Sequence, residues 1–250
     1  MSIENLSLSI VMALAAGLVG CFAVMRRMAL AADALSHVAL PGIGIALALH
    51  ISPIFGAAAM LAFGGLLVWA LEAKARVGTE AIIGVLFSGA LALGSMMTSG
   101  EELIEALFGG AGAITWPEFV FVLAGSLAIV LFVVTQRHKL VVMLVSPDVA
   151  RTAGIEVRRL NLLFLETFAL TIALGLRYLG VLLMGALIII PAVTAKRLAA
   201  NLTTMLVAAS ILAVSATVLG TFLGDHFHRE TGPLIVCVAT ALFAISFLRR

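Results

Sequence analysis

Asp33 and His37 are the residues whose types and spacing could do chemistry. They lie four apart in an apolar stretch of 23 residues, Met28 to His50. On a helix, this spacing places both side chains on one face. A carboxylate inside a membrane helix costs roughly 2.5–3.5 kcal/mol and usually faces a pathway or a partner. Carboxylate and imidazole are ligands that zinc accepts. The pair predicts a metal-transport route; the alternative is a helix cap at Asp33 and a hydrogen-bonded core histidine at His37.

Several other polar residues are weaker candidates. His50 could act as a gate or second ligand, or simply lie at the membrane interface. His226 and His228 could collect metal or contact a binding protein, or belong to a solvated loop. Glu166 lies within an apolar run, where a transport role competes with a hydrogen bond to a neighbouring helix. Three acids could pair with a docking partner or be solvated: Glu101, Glu102 and Glu105.

Composition indicates the elements that must position these residues. Hydrophobic residues make up 63% of the 250 residues, only 11% are charged, and the mean hydropathy is +1.22. Soluble domains are nearer half apolar and a quarter charged. The sequence therefore predicts an all-α, polytopic bundle of transmembrane helices that forms a single permease domain over 1–250. Cys21 and Cys237 both lie in apolar runs and are expected to be small buried hydrophobes.

The hydrophobic pattern predicts about nine spans. Pro41 and Pro191 fall inside the second and seventh spans and are expected to kink or break them. No segment between the spans is long enough for a separately folded domain. The predicted spans are 8–25, 28–50, 54–71, 81–97, 119–135, 160–176, 178–195, 202–223 and 233–248.

The positive charges predict the orientation. If segment 136–159 is cytoplasmic, all of the 15 lysines and arginines except Arg177 and Arg229 are inside. Basic residues favour the cytoplasmic side. The N-terminus is therefore predicted outside and the C-terminus inside.

The cytoplasmic segment 136–159 contains a helix-start signal. Ser146 is a capping type, Pro147 suits the first turn, and Asp148 adds an acid there. A short helix follows, and Gly154 is expected to end it. Such a helix could dock into a groove of a partner protein or lie at the membrane interface.

Three motifs resemble the permeases of the zinc and manganese uptake family of ABC transporters, the ZnuB type. They are RRMALAADALSHVALPGIGIA, SPDVARTAGIEV and RYLGVLLMGALIIIPAVTAKRLA, in that order along the chain. Weaker similarities lie in TEAIIGVLFSGALALG and LFGGAGAITWPEF, so the resemblance covers essentially the whole chain.

The resemblance implies a permease that pairs with a second copy, binds a cytoplasmic ATP-binding subunit and receives metal from an extracytoplasmic binding protein. It also implies a coupling helix with the residues Pro147, Asp148, Ala150 and Gly154. Independently, the sequence has no G-x-x-x-x-G-K-[ST] phosphate loop, so ATP hydrolysis is expected on a separate chain and the permease is not itself an enzyme. A two-fold axis beside the second span would bring together two copies of Asp33 and His37 as a four-coordinate metal set.

Together these observations predict a multi-pass permease of the bacterial inner membrane that imports a divalent metal. Zinc is favoured over manganese because the site contains histidine and because the sequence as a whole resembles the zinc branch of the family more closely. No permanently bound cofactor and no nucleic acid are expected; the metal is cargo, and lipid surrounds the helices. The alternatives are a manganese or iron importer of the same family, and an ion-coupled secondary carrier that uses Asp33 and Glu166 as proton carriers.

Overall fold

The computed structural model describes residues 3–74, 77–97 and 115–248, and the regular structure in those ranges is entirely helical. The all-α prediction is therefore confirmed. The ten helices of the described ranges are α1 Ile3–Met25, α2 Ala29–Val38, α3 Leu40–Ala48, α4 Pro53–Glu72, α5 Thr79–Met97, α6 Trp116–Val145, α7 Pro147–Thr152, α8 Val157–Leu198, α9 Leu202–Phe227 and α10 Thr231–Ser246.

Seven stretches of the described chain are long and apolar enough to cross a membrane, and α10 is a shorter apolar helix. The predicted count of nine spans is not confirmed. One of the seven is Val157–Leu176; the next predicted span, 178–195, begins on residues 178–183, which the structure does not describe in full, so that span is not tested. The acids Glu101, Glu102 and Glu105 lie outside the described residues.

The run α8 is not a straight rod. A Cβ on Gly175 would lie 1.9 Å from Sδ of Met184. Nine residues of a straight α-helix rise about 13.5 Å, which is too far for that contact. Gly175 and Met184 therefore lie closer together than they would in one straight helix. Pro191 was expected to kink or break its span, but it lies inside α8 without interrupting it; its missing amide costs one hydrogen bond, which a packed helix can tolerate.

Two prolines act as expected elsewhere. Pro41 has no amide hydrogen to donate to the carbonyl of His37, and the predicted second span is divided at Ala39 into α2 and α3. Pro53 is the first residue of α4, where its missing donor is harmless. The last helix, α10, begins at Thr231, two residues before the start expected at Pro233.

Helix α6 is longer than the sequence pattern indicated. It continues from Trp116 to Val145, so the first ten residues of the predicted cytoplasmic segment are helical. A helix of 30 residues is about 45 Å long, well beyond the ~30 Å of a hydrocarbon core. QRHKLVVMLV contains no helix breaker before Ser146-Pro147, which is why the helix does not stop at the membrane surface.

Helix α1 lies at the centre of the bundle and packs against α6, α8 and α9. It is the most enclosed candidate span, with 72% of its residues buried, whereas α5 is the least enclosed at 22%. Helices α3 and α4 approach closely at a glycine pair: a Cβ on Gly56 would lie 2.2 Å from the carbonyl oxygen of Gly42. Only glycine allows two membrane helices to come this close.

Polar contacts define the two ends of the bundle. At one end, Arg26 donates to Oδ1 of Asn161, and the same asparagine donates to Glu72 at 2.8 Å. At the other end, Ser52 donates to Glu118. We call these the inner and outer ends, following the orientation that the positive charges predict.

Candidate functional site: an open face on the second span

Asp33 and His37 both lie on α2, one turn apart, as predicted. Asp33 is exposed and His37 is half-buried. Leu30, one turn earlier on the same helix, is 83% exposed. This face of α2 is therefore uncovered in a single chain, which is unfavourable for a carboxylate that faces lipid.

Neighbouring helices fix the position of the pair. The backbone of Asp33 lies against α8, where a Cβ on Gly185 would be 3.1 Å from the Cα atom of Asp33. The ring of His37 packs edge-on against Phe87 of α5, with 5.3 Å between centroids. Nδ1 of His37 is buried and has no hydrogen-bond partner among the described residues. Since no described residue bonds to Nδ1, no hydrogen bond at that atom determines which ring nitrogen of His37 carries the proton.

Within the described ranges, a single chain does not contain a complete metal site. No group of three or more His, Cys, Asp or Glu side chains there is arranged to hold a metal ion. A structural zinc site needs four ligands, and even an open site takes three from protein. If Asp33 and His37 bind metal, further ligands must come from outside this part of the chain.

Glu166 lies at the contact between α8 and α4. A Cβ on Gly65 would be 2.9 Å from its Oε1 atom, and this oxygen is buried without a partner in the described chain. The hydrogen bond to a neighbouring helix that the sequence suggested is therefore not made by Oε1. A buried carboxyl oxygen without a hydrogen-bond partner is costly inside a membrane span.

The other predicted metal ligands are exposed at the outer end of the bundle; they are His50, His226 and His228. His50 and His228 have left-handed backbone, with φ of 55° and 52°, just beyond α3 and α9. Left-handed residues commonly end helices, so both histidines have a structural role. His226 stacks on Phe222 at 6.4 Å. Within the described ranges, these three histidines do not form a group of three or more metal-ligand side chains.

A helix was expected from Val149 to Ala153, and α7 runs from Pro147 to Thr152, so it starts two residues earlier and ends one residue earlier. Ser146 accepts a hydrogen bond from the amide of Val149 at 3.3 Å, and Asp148 pairs with Arg151 at 2.7 Å. Gly154 follows the helix with φ of 76°, and Ile155 donates to the carbonyl of Ala150 at 2.9 Å. These bonds form a Schellman motif, which stops the helix and turns the chain towards α8.

The four predicted coupling residues differ in accessibility. Pro147, Asp148 and Gly154 are exposed, whereas Ala150 is fully buried under the helix. The exposed side of α7 also carries Val149, which is 57% exposed. The helix thus offers a mixed polar and apolar surface to a partner and is anchored to the bundle by Ala150.

Two polar networks were not identified from the sequence. Glu118 is only 5% exposed and accepts hydrogen bonds from the hydroxyl of Ser52 and the amide of Thr115. The T-x-x-E spacing before an apolar run is a capping signal that could have revealed it. The inner network from Arg26 through Asn161 to Glu72 connects residues far apart in sequence and carries no local signal.

The chain is similar to known membrane transport proteins over nearly its whole length. The family model described as the ABC 3 transport family matches residues 2–250. A manganese transport system membrane protein, MntC of Halalkalibacterium halodurans, is 30% identical over 98% of this chain and 85% of its own length. The high-affinity zinc uptake system membrane protein ZnuB of Haemophilus influenzae is 29% identical over 96% and 94%. A solved structure, PsaBC from Streptococcus pneumoniae in complex with Fab, aligns with a TM-score of 0.85 at 29% identity, over 98% of this chain and 90% of the other.

Proposed function

The chain belongs to the ABC 3 transport family, and we propose that it is the permease subunit of an ATP-driven importer that carries zinc into the cytoplasm. The observation that carries this proposal is the open face of α2, where Asp33 is exposed in a single chain and His37 lies half-buried one turn away. Such a face requires a partner or a water-filled pathway.

A second copy of the chain is the partner we infer for this face. A two-fold axis beside α2 would place two carboxylates and two imidazoles around one point. That set matches the number and type of ligands that a divalent transition metal takes. The metal must also leave towards the cytoplasm, so an importer is expected to hold it weakly and transiently.

Ligand chemistry supports zinc over manganese in this proposal. Imidazole suits zinc, whereas manganese prefers carboxylate, carbonyl and water oxygens. Sequence identity does not discriminate, because the relatives named for manganese and for zinc differ by a single percentage point in identity. Manganese and iron remain the alternatives within the same mechanism.

The proposed partners bind at opposite ends of the bundle. An ATP-binding subunit would dock on the exposed side of α7, with Pro147, Asp148 and Gly154 at the contact and Ala150 beneath it. An extracytoplasmic metal-binding protein would deliver metal at the outer end. We propose that the permease lies in the bacterial inner membrane, where one end of the bundle faces each of these partners.

One observation favours a second candidate, a secondary carrier coupled to protons. The buried and unpartnered oxygen of Glu166 is what a proton carrier within a span would show. This carrier would need no ATPase, so dependence on ATP separates the two functions.

Cellular metal content tests the proposal. The permease and its ATPase and binding-protein partners are expressed in a host that lacks its own zinc and manganese importers, in metal-poor medium. We expect zinc to rise with the wild type and His37→Ala to lower the gain at least about tenfold, as expected for loss of a metal ligand. His138→Ala, at an exposed histidine near the inner end of α6, is the matched control and should retain uptake. A rise in manganese alone would show the chosen metal to be wrong, and full uptake by His37→Ala would remove the proposed site.

A further inference from the structure

A basic cleft lies at the inner end of the bundle, away from the open face of α2. It consists of two adjoining cavities of about 480 and 760 Å³, which share Trp69, Arg151, Val157 and Arg158. Helix α4 forms one wall and the start of α8 another, and α7 borders the first cavity. We refer to the two cavities together as the inner cleft.

The charge of the inner cleft is positive. Four arginines line it, namely Arg26, Arg151, Arg158 and Arg159, against the two carboxylates of Glu72 and Glu156. Both carboxylates already have partners: Glu72 accepts from Asn161 and Thr79, and Glu156 lies 4.0 Å from Arg159. Arg151 also pairs with Asp148 at 2.7 Å, so four arginines face three carboxylates and an anion would meet an excess of one positive charge.

Arg158 is held in place without an acidic partner among the described residues. Its guanidinium lies over the indole of Trp69, 4.5 Å from the ring centre. The indole donates its N–H to the backbone carbonyl of Arg158 at 3.0 Å, so the contact between α4 and α8 does not depend on the arginine side chain. A guanidinium presented in this way, without a carboxylate to neutralise it, offers its positive charge to an anion.

Apolar surface continues from the inner cleft towards the membrane centre. One turn beyond Trp69 on α4, Leu66 is 45% exposed, and one turn beyond Arg159 on α8, Leu163 is 44% exposed. Leu162 itself lines the second cavity. A ligand with a phosphate head and hydrocarbon tails would satisfy both parts of this surface, whereas a soluble anion would satisfy only the basic part.

We propose that the inner cleft binds an anionic phospholipid, with the phosphate at Arg158 and Arg151 and the acyl chains along Leu66 and Leu163. Basic pockets between membrane helices on the cytoplasmic side bind anionic headgroups in this manner, and tryptophan commonly lies at that depth. Because the first cavity borders Pro147 and Arg151 of α7, the bound lipid would contact the helix proposed to receive the ATPase.

Tryptophan fluorescence tests this site directly. The chain has two tryptophans, so Trp116→Phe leaves Trp69 as its single tryptophan fluorophore. This full-length chain is placed in phosphatidylcholine vesicles that contain either brominated phosphatidylglycerol or brominated phosphatidylcholine at equal mole fraction. Bromine on the acyl chains quenches a tryptophan that it contacts. We expect stronger quenching of Trp69 by the anionic lipid.

Charge variants distinguish a lipid site from a packing contact and from a site for a free anion. Arg158→Gln should lower the preference for the anionic lipid about fivefold, and Arg158→Lys should retain most of it. Lys139→Gln changes an exposed basic residue outside the inner cleft and should leave the preference unchanged.

Three results would overturn the proposal. Equal loss in Arg158→Gln and Arg158→Lys would assign the effect to packing. Relief of quenching by inorganic phosphate would identify a site for a free anion. Loss of the preference when the ATPase binds would assign the inner cleft to that subunit.

Discussion

At the scale of single residues, the sequence identified Asp33 and His37 because a carboxylate and an imidazole are rare inside an apolar run. Their surroundings could not be predicted in the same way. The contact of His37 with Phe87, and that of Asp33 with Gly185, depend on how α5 and α8 pack against α2. These contacts join residues that are distant in sequence and belong to no local motif.

Glu166→Gln separates the two candidate functions at this scale. Glutamine has nearly the same shape as a protonated glutamate and preserves the contact with Gly65. If transport is driven by ATP, we expect the rate of metal uptake to stay near that of the wild type. Asp33→Asn is the matched change and should abolish uptake, since an amide is a weaker metal ligand than a carboxylate. Loss of uptake in Glu166→Gln at normal membrane abundance would favour the proton-coupled carrier.

At the scale of helices, local signals predicted starts and stops well. The sequence Ser146-Pro147-Asp148 and the later Gly154 bound α7 as expected, and Pro41 divides the second span. At Pro191, a kink or a break was expected; the break does not occur, because Pro191 remains inside α8. A proline removes one hydrogen bond in every case, but whether the helix ends there depends on how its neighbours hold it.

Gly56→Ala tests the close approach of α3 and α4. The new methyl group would lie 2.2 Å from a backbone oxygen of Gly42, so one helix must shift. We expect the variant to lose about 1–3 kcal/mol of stability, as overpacked sites do, and to unfold at lower temperature in detergent. Gly84→Ala on α5 is the control, because nothing lies within 4 Å of the added carbon. Equal melting temperatures for both variants would contradict the described packing.

Gly154→Ala tests the geometry of α7. Left-handed backbone, here with φ of 76°, costs a residue with a Cβ roughly 1–2 kcal/mol. If α7 docks the ATPase, the variant should retain less ATPase on co-purification at unchanged membrane abundance. Gly78→Ala provides a control at an open position for which no left-handed backbone is found. Normal ATPase recovery with Gly154→Ala would show that the chain reversal after α7 is not needed for docking.

At the scale of the whole molecule, the proposal requires two copies of the chain with α2 of each beside the axis. Leu30→Cys in a Cys237→Ser background tests this arrangement, because Cys21 is buried and Cys237 is the exposed native thiol of the described chain. Leu30 lies on the uncovered face of α2, so the new thiols are expected to form a disulfide between copies. Ile211→Cys, 60% exposed on α9, is the control and should stay monomeric on a non-reducing gel. The reverse pattern would place the axis beside α9 and contradict the shared site.

The most direct test of the central claim is metal uptake into vesicles that contain the purified permease and its ATPase. The external binding protein supplies radioactive zinc, and the vesicles enclose either ATP or a non-hydrolysable analogue. We predict uptake by the wild type only with hydrolysable ATP, and a loss of at least about tenfold in both Asp33→Asn and His37→Ala while ATPase association is retained. Uptake that proceeds without ATP hydrolysis, or that survives both substitutions, would contradict the proposal of an ATP-driven metal route through these two residues.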